Sequence, residues 1–499
     1  MAPNASSSEP PRLPLSSAPD RDSALWAGVA RADITDYQAG PVHDPLYAKA
    51  LVLRDAATTV VIVTLDAVAS AEIGHIGNDY LAILRTRLQD ELGIPPTQVL
   101  VNASHCHGVV GTEVGPRTFQ AVREACRNLV PVRLGAGCGH EDRIMENRRL
   151  RLRNGREADV RHAYALPPDD EVVGAGPVDP QIGVLRLDRE DGRPLAVLYT
   201  FACHPIQGVP SGGNTADLVG FASALIEEAL GAGAMALFLQ GCAGDINPVL
   251  YKDVDHPRDA EPLGNLLGLS VVRAWRQLQC RDGGPLKLLH TVLDLPRAEL
   301  APYIAAMQAE QTRLLQSLQG TSLNLKTFLA LNAKYSLAPL APSYASHRYL
   351  HDRALHRDHL DRLDALNRAH LAQYVANIHA MEELTRVQTN LDLLRLHHAQ
   401  NQAAGKDTIA VEVLGLRIGD FVLLTFPGEL SVQIGLNLKR ASPHPLTFVA
   451  GCSNGYIYYA PTAEQLQNRG HAQEDSDCLL APEWQALFET KAAALLAAL

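Results

Sequence analysis

Six short apolar runs recur along this chain, and each leads directly into a group able to bind a metal or move a proton. Thr59–Leu65 leads into Asp66, and Val99–Ala103 into Ser104-His-Cys-His-Gly108. Leu195–Phe201 leads into Ala202-Cys-His-Pro205, and Ala234–Leu239 into Gln240-Gly-Cys-Ala-Gly-Asp-Ile-Asn-Pro248. Phe421–Phe426 leads into Pro427-Gly-Glu429, and Leu446–Ala450 into Gly451-Cys-Ser-Asn-Gly-Tyr456. Apolar, β-branched runs of this length are buried strands. Helical stretches are expected between them, at 78–92 and 220–230. Strands alternating with helices predict an α/β fold, a mixed sheet with flanking helices. In such sheets ligands bind outside the carboxyl ends of the strands, so the active site is expected there.

The side chains at those ends suit a metal. His105 and His107 stand two apart, so an extended backbone turns both to one side. His204 and Glu429 add a further imidazole and a carboxylate. Two histidines and a glutamate make a common catalytic zinc set that keeps one position open, so Zn2+ held by His105, His204 and Glu429 is expected. None of the eight cysteines forms a C-x-x-C pair, which argues against a thiolate knuckle. Cys106, between two histidines, is expected to point the other way and pack as a small hydrophobe, as are Cys203, Cys242 and Cys452.

Bulk properties exclude other classes. A formal net charge of -11 argues against nucleic acid as the partner. The Arg-rich stretch Asn147–Arg156 alternates with leucines and is expected to be a strand with one solvated face. No apolar run is long enough for a transmembrane segment, and the N-terminus lacks the features of a secretory signal. A cytoplasmic location is the expectation. The Pro/Ser-rich residues 1–23 are expected to form a disordered tail. The α/β unit is expected over 24–297 and 403–499, closed by a C-terminal helix from Pro482.

Between these parts, residues 298–402 change character. Leu360, Leu363, Leu366, His370, Tyr374, Ile378, Met381 and Leu384 recur at helical spacing, and no proline occurs between Pro342 and Pro427. A long helical insertion, an antiparallel hairpin, is predicted. It is expected either to cover the site or to form a homo-oligomer interface. Its eight histidines, including His347, His351, His356 and His359, are irregularly spaced among Arg and Asp. They read as a solvated helical face rather than a second metal site.

Seven motifs, in order, resemble the N-terminal catalytic domain of the neutral/alkaline non-lysosomal ceramidases. They are Ala30-Arg-Ala-Asp-Ile-Thr35, Asn102-Ala-Ser-His-Cys-His-Gly108, Asn147-Arg148, Phe201-Ala-Cys-His-Pro205, Gly244-Asp-Ile-Asn-Pro248, Phe426-Pro-Gly-Glu429 and Ser453-Asn-Gly-Tyr-Ile-Tyr-Tyr459. The resemblance spans about residues 27 to 460, without the insertion. It implies zinc ligands at His105, His204, Glu429 and Tyr456. It also implies His107 beside the metal to handle protons, Arg148 to bind substrate, and Tyr459 to donate to a developing oxyanion. Asp66 and Asp217 are expected either to orient ligands or to cap local structure.

The chain also departs from that family. Asn247 stands where the ceramidases carry a serine near the reaction centre. An amide is no nucleophile but can donate to an oxyanion, which favours direct attack by water over a covalent route. Glu464–Glu474 does not follow the family pattern, and the family's C-terminal immunoglobulin-like domain is expected to be lacking. These departures move the expected substrate away from ceramide. The first reading is therefore a zinc-dependent hydrolase of an amide (N-acyl) bond in a small-molecule or acylated substrate. The second is an esterase, lactonase or deacetylase on a small polar substrate. The third is a non-catalytic metal- or ligand-binding relative.

Overall fold

A computed structural model describes residues 25–159, 166–251, 253–342 and 345–499. The tail expected over residues 1–23 lies outside them. The first part of the chain forms β1 (Trp26–Asp33), β2 (Tyr47–Arg54), β3 (Thr59–Leu65), α1 (Tyr80–Leu92), β4 (Val99–Ala103), α2 (Val114–Arg127) and β5 (Val130–His140). It continues through β6 (Gln181–Arg189), β7 (Pro194–Phe201), α3 (Asp217–Leu230), β8 (Met235–Gln240) and α4 (Glu261–Gln277). These strands make a sheet in the order β8-β7-β6-β5-β1-β2-β3-β4, and the short strand Arg281–Asp282 adds to β5 as its ninth member. Only β3–β4 and β7–β8 pair in parallel; the other pairs along that path are antiparallel. The mixed sheet and its flanking helices agree with the sequence reading.

A second sheet, not distinguishable from the apolar pattern, lies against the first. Strands β9 (Leu286–Pro296), β10 (Thr408–Ile418), β11 (Phe421–Thr425) and β12 (Thr447–Ala450) form it in that order. It packs on the first sheet through one shared core that mixes Leu51, Leu185, Leu198 and Leu237 with Leu414, Leu416, Phe421 and Phe448. Gly183 of β6 permits the approach: a Cβ there would lie 2.6 Å from the Phe448 ring. Helices cover both outer faces. α1 and α2 pack on β1–β4, α3 and α4 on β6–β8, and the helices Val432–Ala441 and Trp484–Ala498 on the second sheet. Each fully buried Leu or Phe in these layers contributes roughly 1.5–3 kcal/mol of transfer free energy.

The insertion consists of α5 (Ala301–Ser317), α6 (Leu325–Leu337), α7 (His347–Ala354) and the 46-residue α8 (His359–Ala404). α8 is roughly 70 Å long at the helical rise. The predicted two-helix hairpin is thus corrected: one arm is continuous and the other is broken into three. The breaks fall at Gly320 and at Pro339 and Pro342, where backbone freedom or a missing N–H ends a helix. α5 and α6 still run antiparallel to α8. Gln311 donates to Gln388 at 2.6 Å, Phe328 stacks on Tyr374, and Tyr335 and Tyr349 both donate to Asp364 at 2.6 Å. Among the described residues no helix is long and apolar enough to cross a membrane.

Candidate metal centre

The carboxyl ends of β4, β8 and β12 are stitched together by one buried side chain. Asn102 accepts from the Gln240 N–H at 2.9 Å and donates to the Gly451 carbonyl at 2.7 Å and to Ser453 Oγ at 3.0 Å. Three strands remote in sequence therefore deliver their following residues to one place. His105 leaves β4 in the left-handed region (φ 69°) rather than on the extended backbone expected. His204 follows β7, and Glu429 lies just beyond β11. Gly244 must be small here, because a Cβ would lie 2.7 Å from the Glu429 carbonyl oxygen.

His105, His204 and Glu429 are all buried, and one ligand atom from each lies within 4.8 Å of the others. His105 Nδ1 sits 2.7 Å from the Val68 carbonyl, and His204 Nδ1 sits 2.9 Å from the Ile246 carbonyl. A carbonyl only accepts, so each Nδ1 carries the hydrogen. Both Nε2 lone pairs then face the carboxylate, at 3.4 Å from Glu429 Oε1 for His105 and 2.7 Å from Oε2 for His204. Lone pairs held against a carboxylate call for a cation between them. A proton would serve only by making a buried imidazolium, and burial works against that: it pushes His105 down to about 4 and lowers His204 as well. Burial alone would raise Glu429, yet positive charge at the His105 and His204 side, where a cation would sit, and the Tyr456 hydroxyl hold its carboxyl well below the usual range. Two neutral imidazoles and an ionised carboxylate, the former oriented by backbone carbonyls, fit a divalent zinc-type ion.

The remaining candidates fall into three positions. Tyr456 joins the cluster directly: its hydroxyl donates to Glu429 Oε1, and its ring stacks near His105. His107 sits on the solvent side, its ring centroid 5.6 Å from that of His105. It lines a cavity of about 350 Å³ together with Asn214, Asp217, Tyr251 and Arg258. Arg148, Asn247 and Tyr459 form a buried layer. Arg148 Nη1 donates to Asn247 Oδ1 at 3.1 Å, and its guanidinium lies 5.5 Å from the Tyr459 ring centroid.

Arg148 and Arg149 correct the expected solvated face of Asn147–Arg156. Both are 1% exposed, whereas Arg151 and Arg153 are exposed. The segment reaches its buried partners through Glu474 and Asp475, at 2.6 Å and 2.8 Å. Asp66 and Asp217 do not bond the ligand histidines. Asp66 accepts from the Tyr47 N–H, and Asp217 accepts from the Gly208 and Leu218 N–H groups; burial raises both carboxyls to about 6. Cys106 does point away, into the core behind β4. Asn102 and Glu474 were missed as site residues. Asn102 stood inside a quoted motif, and Glu474 ended the segment that fits no pattern.

No protein-family profile and no curated protein sequence matches this chain. Solved structures do. The neutral ceramidase from Pseudomonas aeruginosa superposes with a TM-score of 0.60 at 17% identity, covering 96% of this chain and 75% of that one. A ceramidase complexed with C2 gives 0.58 at 18% identity, with the same coverage. This chain has the fold of the neutral ceramidases, with its buried His-His-Glu cluster at the joined carboxyl ends of strands from both sheets.

Proposed function

We propose that this protein is a zinc-dependent hydrolase that cleaves an amide (N-acyl) bond with water as the nucleophile. One observation carries the reading: two imidazoles locked by backbone carbonyls turn their Nε2 lone pairs onto a buried carboxylate. His105, His204 and Glu429 would hold the ion, with Tyr456 as a fourth oxygen donor. Bound there, zinc would polarise the acyl carbonyl and lower the pKa of water. His107, on the cavity side of the cluster, would pass a proton to the leaving amine. Asn247 would donate its amide N–H to the acyl oxygen. Its Oδ1 is taken by Arg148, and its Nδ2 is buried with no partner among the described residues. The ceramidase fold agrees with acyl-amide chemistry.

The cavity favours a second reading of the substrate, a small polar ester, lactone or acetylated compound. Asn214, Tyr251, Arg258 and a glycine-rich loop line it, rather than a long apolar tunnel. The test is a hydrolysis screen of N-acyl amides against matched esters, with metal analysis and a chelator arm. Stoichiometric zinc and chelator-sensitive amide cleavage are expected. An active metal-free protein sinks the proposal; faster ester turnover selects the second reading; bound zinc without turnover selects a non-catalytic relative.

A further inference from the structure

Among the described residues the Asn247 amide donor has no partner, and its orientation is imposed. Arginine only donates, so the face of the Asn247 amide turned to Arg148 must be its oxygen, and the NH2 points the other way. That amide lies one residue beyond Ile246, whose carbonyl holds His204 Nδ1. Arg148 is fixed in turn: Nη2 donates to the Gly244 carbonyl at 2.5 Å and Nε to Glu474 Oε1 at 2.6 Å. Arg148 and Glu474 are each 1% exposed, so no solvent competes for these bonds. We infer that Glu474 is a positioning residue of the metal centre, acting through Arg148 to aim the amide of Asn247.

The segment carrying Glu474 is anchored from its far side by α8. Ser476 Oγ donates to Asn390 Oδ1 at 2.6 Å, and His397 Nε2 lies 2.7 Å from Asp477 Oδ1. Asn401 donates to the Leu479 carbonyl at 3.3 Å, and Gln400 donates to the Tyr458 hydroxyl at 2.9 Å. Positions 390, 397 and 401 share one face of α8, so a single stripe of the helix holds the whole segment. The helical arm thereby buttresses the layer beside the metal without touching it.

This inference rests on the hydrolase reading for its kinetic arm only. Asp475 provides the control. It is equally buried and pairs with Arg149 at 2.8 Å and 2.9 Å; Arg149 reaches Glu474 Oε2 only as a 3.5 Å ion pair, and among the described residues no hydrogen bond links Asp475 to Arg148 or Asn247. Glu474→Gln, Glu474→Asp, Asp475→Asn, Asn247→Ala and the double variant Glu474→Gln/Asn247→Ala are compared with wild type. Each is measured for bound zinc, melting temperature, and kcat and KM on the best substrate of the acyl panel. The Asn247 side-chain amide signal is followed by NMR with ¹⁵N-asparagine labelling.

Glu474→Gln is expected to keep its zinc, move the Asn247 signal and lower kcat about 10–100-fold, with a smaller change in KM. Glu474→Asp should recover part of that loss and serves if the Gln variant does not fold. The double variant should be no slower than the slower single one, because both changes disable the same donor. Asp475→Asn should lower the melting temperature while leaving the Asn247 signal and kcat in place. Equal losses in Glu474→Gln and Asp475→Asn, multiplicative losses in the double variant, or an unmoved Asn247 signal would overturn the inference. Should wild type turn over nothing, the hydrolase reading falls and the NMR signal alone decides the positioning role.

Discussion

The metal centre and the helical arm both hold histidines and acids, and they use them in opposite ways. Eight of the nineteen histidines lie on the arm. His347, His351, His356, His359 and His379 are exposed there, and where they meet a carboxylate it is close in sequence, as His379 meets Glu382 at 3.4 Å. Such exposed pairs contribute little. At the candidate centre, three residues that could hold a metal come from positions 105, 204 and 429, all buried, with both imidazoles held by backbone carbonyls. Ligand chemistry is therefore a matter of convergence and locked tautomer, not of residue count.

The largest test of that contrast removes the carboxylate. Glu429→Ala is expected to lose bound zinc and on the order of a thousandfold or more in kcat/KM, while secondary structure persists. Zinc still bound at one ion per chain would place the metal elsewhere, and the arm would be the first place to look. At the far end of the arm, Asp364 accepts from two tyrosine hydroxyls and is 8% exposed. Asp364→Ala is expected to cost the arm about 2–4 kcal/mol, seen as faster amide exchange over residues 325–371. Zinc content and turnover should stay unchanged; their loss would show that the tip and the centre form one cooperative unit.

The seam between the two regions should be pH-sensitive. Burial, then the nearby Arg156, pushes His471 down to about 4, with Glu310 of α5 opposing and Arg386 of α8 adding to the shift. The unfolded chain then binds the extra proton between pH 6.5 and 4, so stability is full above that window and falls as pH drops through it. A loss of about 1–3 kcal/mol is expected across the window, discounted for partial exposure. Denaturant midpoints of wild type and His471→Gln at pH 7.5 and 4.5 measure it, and equal slopes would exclude His471 as the source. The smallest effect belongs to the exposed arm histidines. His359→Ala and His379→Ala should each change stability by no more than about 0.5 kcal/mol and leave zinc content intact.

Much of the frame was legible in the sequence. Thr59–Leu65 and Thr408–Ile418 are strands with the bounds their apolar pattern indicates. His105, His204 and Glu429 were found from strand ends alone, because a buried strand must surface at its end and shows its polar residues there. The arm was legible as helix but not as a broken hairpin. Gly320, Pro339 and Pro342 were visible, yet their effect depends on how α5, α6 and α7 each dock against α8. Arg148 and Arg149 were misjudged because a charge reads as solvated until its partner is known, and Glu474 and Asp475 lie 326 positions away.

Strands such as Thr59–Leu65 and Phe421–Thr425, and the strand ends that carry His105, His204 and Glu429, follow from local periods of burial and are written in the chain itself. That two sheets share a core, and that Asn102 draws three strand ends together, emerges only from the folded chain. It alone showed that Val68 and Ile246 set the histidine tautomers, because a backbone carbonyl is the same at every residue and leaves no mark in the sequence. It alone brought Glu474 to Arg148, because a buried ion pair is specified by strand order and loop path rather than by any neighbour along the chain.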